Sequence, residues 1–463
     1  MDGVLRVGNA GGFWGDRIDA AAELVRQQPD LDYLTIDYLA EVSMSILARQ
    51  RDGDPGRGYA ADFLESLRLL APAWKATSFR AKLITNAGGL NPMGCARAAG
   101  QVLRDYGCDG RRIAVVTGDD VLELIRSRAA SGANCDILKH LETGESIEKV
   151  LPDLVTANVY LGAMPIVEAL RSGADIVITG RVADPSLTVA PCIAHFGWSD
   201  GDYDRIAAAT VAGHLIECGT QATGGISTDW LSVPDRAHIG FPIVQVDDRG
   251  ILVVAKPKAT GGRVDELTVK EQLLYEIGDP ARYLSPDATV SFLGLAVEDL
   301  GGDRVRVSGA AGSPSPDTYK VSATYRAGYR ASGVLTICGR DARIKGQACA
   351  EIVHQRLAGK GMSPQGWQVE CLGAGDAVPV ARSLLPAADS SFETVLRISV
   401  RDPRREAVER FARELMPLVT AGPQGVTGYA EGRPRVHEVF GYWPCLIERS
   451  AVQARWEMLE ETA

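Results

Sequence analysis

The chain has 463 residues, enough for two large domains or three ordinary ones and for a large buried core. Hydrophobic residues make up 46% and charged residues 23%, ordinary proportions for a globular protein, and the net charge is −10. Such an acidic chain repels phosphate backbones and anionic lipid, so neither nucleic acid nor a membrane is expected as its partner.

In chain order, β-branched runs predict strands at Leu5–Val7, Tyr33–Ile36, Lys82–Thr85, Ile113–Val116, Ile137–Leu138 and Asp175–Thr179. Ala/Leu/Arg-rich stretches predict helices at Arg17–Gln27, Leu39–Arg51, Ala60–Ala71, Cys95–Tyr106, Asp119–Ala130, Pro165–Arg171 and Ala207–Glu217. Strands alternating with helices imply right-handed βαβ units and a mainly parallel sheet. From about 240 the pattern changes. Phe241–Asp247 and Gly250–Lys256 read as a hairpin, and Asp287–Val297, Asp303–Ser308, Tyr319–Tyr325 and Val334–Cys338 as antiparallel strands. Ala310–Pro316 reads as a loop, Ala342–Ala358 and Arg404–Val419 as helices, and Gln368–Leu372 and Val395–Val400 as strands. The expected fold is therefore α/β: an N-terminal, mainly parallel βαβ domain over residues 1–285, then a smaller α+β domain with an antiparallel sheet over 286–463.

No apolar run reaches the ~18 residues of a membrane span, and Met1-Asp2-Gly3-Val4-Leu5-Arg6 is not a signal-peptide start. Nine scattered cysteines without a C-x-x-C pair read as reduced thiols, which predicts a cytoplasmic protein. Six histidines without H-E-x-x-H or a close pair predict no metal site.

In parallel sheets ligands bind beyond the carboxyl ends of the strands, so the loops there are the candidate site. Gly8–Asp16 offers Asn9, Gly11, Gly12 and Trp14, with Asp16 as a helix N-cap. Thr85–Pro92 offers Asn86, Gly88, Gly89 and Asn91. In Thr179–Ser186, Arg181 can bind a carboxylate with Asp184 orienting it, or the two can form an internal pair that fixes the turn. In Gly213–Gly225, His214, Glu217 and Gln221 share one helical face, followed by Thr223, Gly224 and Gly225. Two titratable groups beside a Gly-rich loop suit proton transfer next to a stabilised oxyanion, whereas Cys218 reads as packing. Lys256 precedes a second Thr-Gly-Gly at 260–262 and could bind a phosphate or carboxylate. Asp37 and Glu41 form a second candidate carboxylate pair. Asp37 also sits where a dinucleotide-binding domain places its ribose acid, but G-x-G-x-x-G and Tyr-x-x-x-Lys are both missing.

Taken together, Gly8–Asp16, Asp32–Glu41, Thr85–Pro92, Ile178–Leu187, Gly213–Gly225 and Lys256–Gly262 resemble the acyclic terpene utilisation (AtuA-type) family, as do Val269–Glu276, Asp303–Gly309 and Gly422-Pro423. The resemblance spans roughly residues 4–450. It implies a part in the bacterial breakdown of citronellol- and geraniol-type acids as CoA thioesters. Longer members of the family carry a further small C-terminal domain, which this chain is expected to lack.

The residues lead to three expectations. The first is a cytosolic acid–base enzyme, a lyase or hydratase, on a small carboxylate or acyl-CoA. Its acid and base would be His214 and Glu217 or Asp37 and Glu41, and it would need no cofactor, a CoA thioester entering only as substrate. A small anionic molecule is its expected partner and a homo-oligomer its expected state. The alternatives are a nucleotide-dependent oxidoreductase and a non-catalytic subunit of a degradation complex.

Overall fold

The computed structural model describes residues 3–76, 80–131, 135–373, 375–377, 392–427 and 432–460. The chain is mixed α/β and divides into two compact units, Met1–Thr324 with Tyr442–Ala463 and Tyr325–Gly441. The expected boundary at 285 falls inside the first unit.

The strands of the first unit are β1 (Val4–Asn9), β2 (Tyr33–Ile36), β3 (Lys82–Thr85), β4 (Ile113–Thr117), β5 (Leu154–Val159), β6 (Ile176–Thr179), β7 (Ile243–Asp247), β8 (Leu252–Ala255), β9 (Tyr283–Leu284), β10 (Thr289–Ser291), β11 (Ala296–Asp299), β12 (Arg304–Ser308) and β13 (Ala311–Ser313). Its helices are α1 (Ala20–Gln27), α2 (Glu41–Gly53), α3 (Asp62–Ala76), α4 (Pro92–Asp105), α5 (Leu122–Ser131), α6 (Met164–Arg171), α7 (Ser186–Phe196), α8 (Tyr203–Glu217) and α9 (Glu266–Leu274).

One sheet runs β11-β12-β8-β7-β1-β2-β3-β6-β4, and a C-terminal strand, Arg455–Met458, closes its far edge. The five central strands, β1-β2-β3-β6-β4, are parallel, and every neighbour outside them pairs antiparallel. The hairpin near 240 therefore extends the parallel sheet instead of opening a new one, with Val7 opposite Val244 and Leu5 opposite Val246. Central strands buried on both faces read as continuous β-branched runs, and Ile176, Val177 and Ile178 are all fully buried. On one face Phe63, Leu67, Leu70 and Trp74 of α3, spaced to share one side of the helix, pack with residues of α1 and α4 onto Leu34, Leu83 and Ile178. Helices α6, α7 and α8 also pack against the central strands.

The second unit holds an antiparallel sheet ordered β15 (Gly366–Leu372), β16 (Glu393–Asp402), β14 (Thr318–Cys338, from residue 325 onward) and β17 (Val426–Thr427). It is covered by α10 (Ala342–Ala358) and α11 (Arg405–Leu415), followed by α12 (Leu418–Ala421). The chain returns to the first unit within β18 (His437–Glu448).

Several expectations are corrected. Ile137–Leu138 belongs to a single 3-10 turn, not a strand. The loop at 310–316 contains β13, which pairs with β10. Tyr319–Tyr325 and Val334–Cys338 are parts of one long strand, β14. The helix expected over Arg404–Val419 is divided, with Pro417 at the start of α12.

Candidate functional site

Helix α8 is apolar on every side, with Ile206 through Ile216 buried without interruption. Gly213 admits a close approach, since a Cβ there would stand 2.6 Å from the Pro185 oxygen. Polar chemistry begins where this buried helix ends. Asn9, at the carboxyl end of β1, donates its amide to the Ile216 oxygen at 2.6 Å and the Glu217 oxygen at 3.2 Å, holding the helix terminus against the sheet.

His214 is 1% exposed, and both ring nitrogens are engaged: Nδ1 meets Glu217 Oε1 at 2.8 Å and Nε2 meets the Gln272 carbonyl oxygen at 2.8 Å. A carbonyl oxygen can only accept, so Nε2 carries a hydrogen, and an ionised carboxylate at Nδ1 demands a second. Burial opposes the charged ring. The hydrogen bond and charge of Glu217, with the Gln272 carbonyl, outweigh it and raise the His214 pKa. The negative end of the α8 dipole acts in the same direction. Glu217 Oε2 is buried and without a hydrogen-bond partner, and Glu217 lines a cavity of ≈ 460 Å³.

The loop after β6 (Ala183–Pro185), the α8 terminus and the segment Tyr283–Pro286 build much of this cavity. Tyr160, Tyr319, Lys320 and Glu41 add polar groups, and Leu141, Ile277, Leu284 and Leu446 an apolar wall. The Tyr160 hydroxyl donates to Glu41 Oε1 at 2.9 Å. Burial pushes the Glu41 pKa up, but hydrogen bonds from the backbone and Tyr160, with the charges of Arg181 and Lys320, bring it below the ordinary glutamate value.

Beside the cavity lies a buried polar layer at the carboxyl ends of β2, β3, β4 and β6. Asp37 Oδ1 accepts from Asn86 Nδ2 at 2.6 Å and from Leu39 N at 3.1 Å. Burial raises the Asp37 pKa to about 6 against the opposing pull of Arg181 and Asn86. Arg181, 1% exposed, donates Nη1 to the Leu39 oxygen, pairs with Asp184 at 2.9 Å and lies 4.2 Å over the Tyr160 ring. Its backbone N–H donates to Asp119 Oδ2 at 2.9 Å, and Asp119 also accepts from Asn158 at 2.8 Å. Burial lifts the Asp119 pKa to about 6 as well. Of the two readings of Arg181 and Asp184, the geometry realises the internal pair.

Four sequence-derived residues thus line one cavity, namely Glu41, Asp184, His214 and Glu217, with Asp37, Asn86 and Arg181 next to it. Several of the expected backbone anion donors are engaged within the protein. Gly12 N–H donates to Asp16 Oδ2 at 3.0 Å, so Asp16 closes this loop instead of capping α1. Gly12 itself is required by packing, since a Cβ would lie 2.7 Å from the Cys218 carbonyl carbon. Gly11 offers its oxygen to Asp37 N at 3.1 Å, and a Cβ on Gly88 would strike the Thr179 oxygen at 2.5 Å. Gly89 N–H donates to the Asn86 oxygen and Gly224 N–H to the Gln221 oxygen, each at 3.2 Å. Asn91 caps α4 through Gly94 N at 3.0 Å, and the Thr223 hydroxyl donates to the Gly240 oxygen at 2.7 Å. Lys256 is buried in an ion pair with Asp303 at 3.0 Å, and Trp14 lines a different, apolar depression with Phe13, Val42 and Ile46. Burial raises the Cys218 thiol to about 12, which keeps it protonated near neutrality.

Sequence reasoning missed Tyr160, Tyr283 and Lys320. The signal for Tyr160 is its place directly after β5, and Lys320 carries no local signal. Among the described residues, no helix is long and apolar enough to cross a membrane, and no cluster of three or more His, Cys, Asp or Glu could hold a metal ion. Neither the curated proteins nor the solved structures contain a match to this chain. A family profile described as acyclic terpene utilisation family protein AtuA matches residues 5–458, nearly the whole chain. By that match the chain belongs to the acyclic terpene utilisation family.

Proposed function

We propose that the protein is an acid–base enzyme of small-carboxylate or acyl-CoA metabolism, of the lyase or hydratase type, working in the cavity beside His214 and Glu217. Membership of its family suggests a role in terpene utilisation. The observation that carries the reading is the division of labour at Glu217. Oε1 is held by His214 at 2.8 Å, while Oε2 is buried without a partner in a residue that lines the cavity. Such a carboxylate is oriented by one oxygen and free to take a proton with the other.

In the elimination direction, Glu217 Oε2 takes a proton from the carbon beside a carboxyl or thioester carbonyl. The hydroxyl on the neighbouring carbon leaves with that proton, so that an alkene and one water form. Positive His214 stabilises the Glu217 carboxylate before and after the transfer, and the wall of Leu141, Ile277, Leu284 and Leu446 receives the hydrocarbon chain. The test is incubation in deuterated water with acyclic terpenoid 3-hydroxy acids, the matching alkenoic acids and their CoA thioesters, read by mass spectrometry. Deuterium incorporation or water addition that falls by about a hundredfold or more in Glu217→Gln supports the reading. Incorporation unchanged in that variant, or none with any of these compounds, overturns it.

A further inference from the structure

Lys320 stands at the start of β14, where its backbone oxygen accepts from Tyr160 N at 3.1 Å, so the pairing of β5 with β14 fixes its position beside that tyrosine. The Lys320 ammonium lies 5.2 Å from the centroid of the Tyr160 ring, and the residue lines the cavity. Of the other cations nearby, His214 is paired with Glu217 at 2.8 Å and Arg181 with Asp184 at 2.9 Å, while Arg449 donates to the Pro286 oxygen at 2.7 Å and lies 4.5 Å over the Tyr319 ring. Among the described residues, Lys320 makes no ion pair with a carboxylate within 4.0 Å, although its charge acts on Glu41.

Four acidic residues, Glu41, Asp184, Glu217 and Glu276, also line the cavity. A ligand carrying one carboxylate can pair it with Lys320 and lay its chain along Ile277 and Leu446. A second anionic group would face the carboxylates of this wall, and like charges in a partly enclosed site repel strongly.

We infer that Lys320 is the specificity-determining anchor of this cavity and selects free monocarboxylates with an apolar chain over dicarboxylates and over esters or thioesters of the same acid. This rests on the cavity being the substrate site and chooses the free acid from the two classes proposed above. It does not depend on which group moves the proton.

The probes are 3,7-dimethyloctanoate, its methyl ester and adipate, measured by thermal shift and calorimetry on the full chain, since a ligand that binds the folded state raises its apparent stability by mass action. The parent should bind the acid at least about tenfold more tightly than the ester or adipate. Lys320→Met should bind acid and ester alike, and Lys320→Arg should restore the preference. Equal binding of acid and ester by the parent, a preference that survives in Lys320→Met, or no binding of the acid at millimolar concentration overturns the anchor. Glu217→Gln separates this from the catalytic reading. If it binds the acid as the parent does, and no compound exchanges deuterium in the parent, the proton-transfer reading falls while the anchor stands. Glu217-dependent exchange with no acid preference leaves the reverse.

Discussion

His214 meets Glu217 at 2.8 Å across one helical turn while its opposite ring nitrogen meets the Gln272 carbonyl oxygen, also at 2.8 Å. With acceptors on both sides, a ring only 1% exposed is held as imidazolium. The folded pKa is therefore raised, so the stability this pair contributes is complete below the unfolded value of ~6.5 and is lost as pH rises through the folded pKa. The His214 ring resonance, followed by NMR, should titrate above pH ~6.5. In Glu217→Gln burial is left as the dominant influence, and the titration should move below that value.

Arg181 links Leu39, Asp184 and the face of Tyr160, and it opposes the buried charge of Asp37. Removing one partner from a buried ionic cluster leaves the others uncompensated, at a cost of about 3–5 kcal/mol. Arg181→Met should lose about that much in urea unfolding. Arg181→Lys should recover only part, because an ammonium cannot span the two directions taken by the guanidinium fork.

Asp119 supplies a pH test away from the cavity wall. Its folded pKa, about 6, lies above the value of the free carboxyl, so its protonated form is the one that favours folding. That contribution is present below pH ~4 and is lost as pH rises to about 6. Asp119→Asn, neutral throughout, should therefore gain on the parent between pH ~4 and ~7 by on the order of 2 kcal/mol. A difference that stays flat across this range would contradict the assignment.

Gly12 separates packing from anion binding. A Cβ there would stand 2.7 Å from the Cys218 carbonyl carbon, next to Glu217. Gly12→Ala should destabilise the fold by about 1–3 kcal/mol and lower turnover, because the α8 terminus must shift. Asp16→Asn, which weakens the bond to Gly12 N–H without adding volume, should do less. An alanine variant of parental stability would refute the packing role.

The parallel strands were legible because each is a short β-branched run bounded by helical sequence, and their carboxyl-end loops carry Asp37, Asn86 and Arg181, which the fold sets beside the cavity. His214 and Glu217 were legible as a pair because helical spacing alone brings them together. The glycine pairs are ambiguous in sequence. A glycine needed for close approach, such as Gly88 against the Thr179 oxygen, has the same local sequence as one that exposes an N–H to a ligand. Tyr160 and Lys320 were illegible for a different reason: their proximity depends on β5 pairing with β14, a contact across 160 residues that no local pattern encodes. Pro191 inside α7 likewise obscured a helix that tertiary packing sustains.

In the proposed reaction Glu217, held by His214, moves a proton within this cavity. Its most direct measurement is deuterium incorporation from solvent into an acyclic terpenoid acid or thioester, comparing the parent, His214→Gln and Glu217→Gln. Incorporation by the parent is expected, with a loss of about a hundredfold or more in Glu217→Gln and a smaller loss, with a shifted pH profile, in His214→Gln. Incorporation at the parental rate in Glu217→Gln would contradict it.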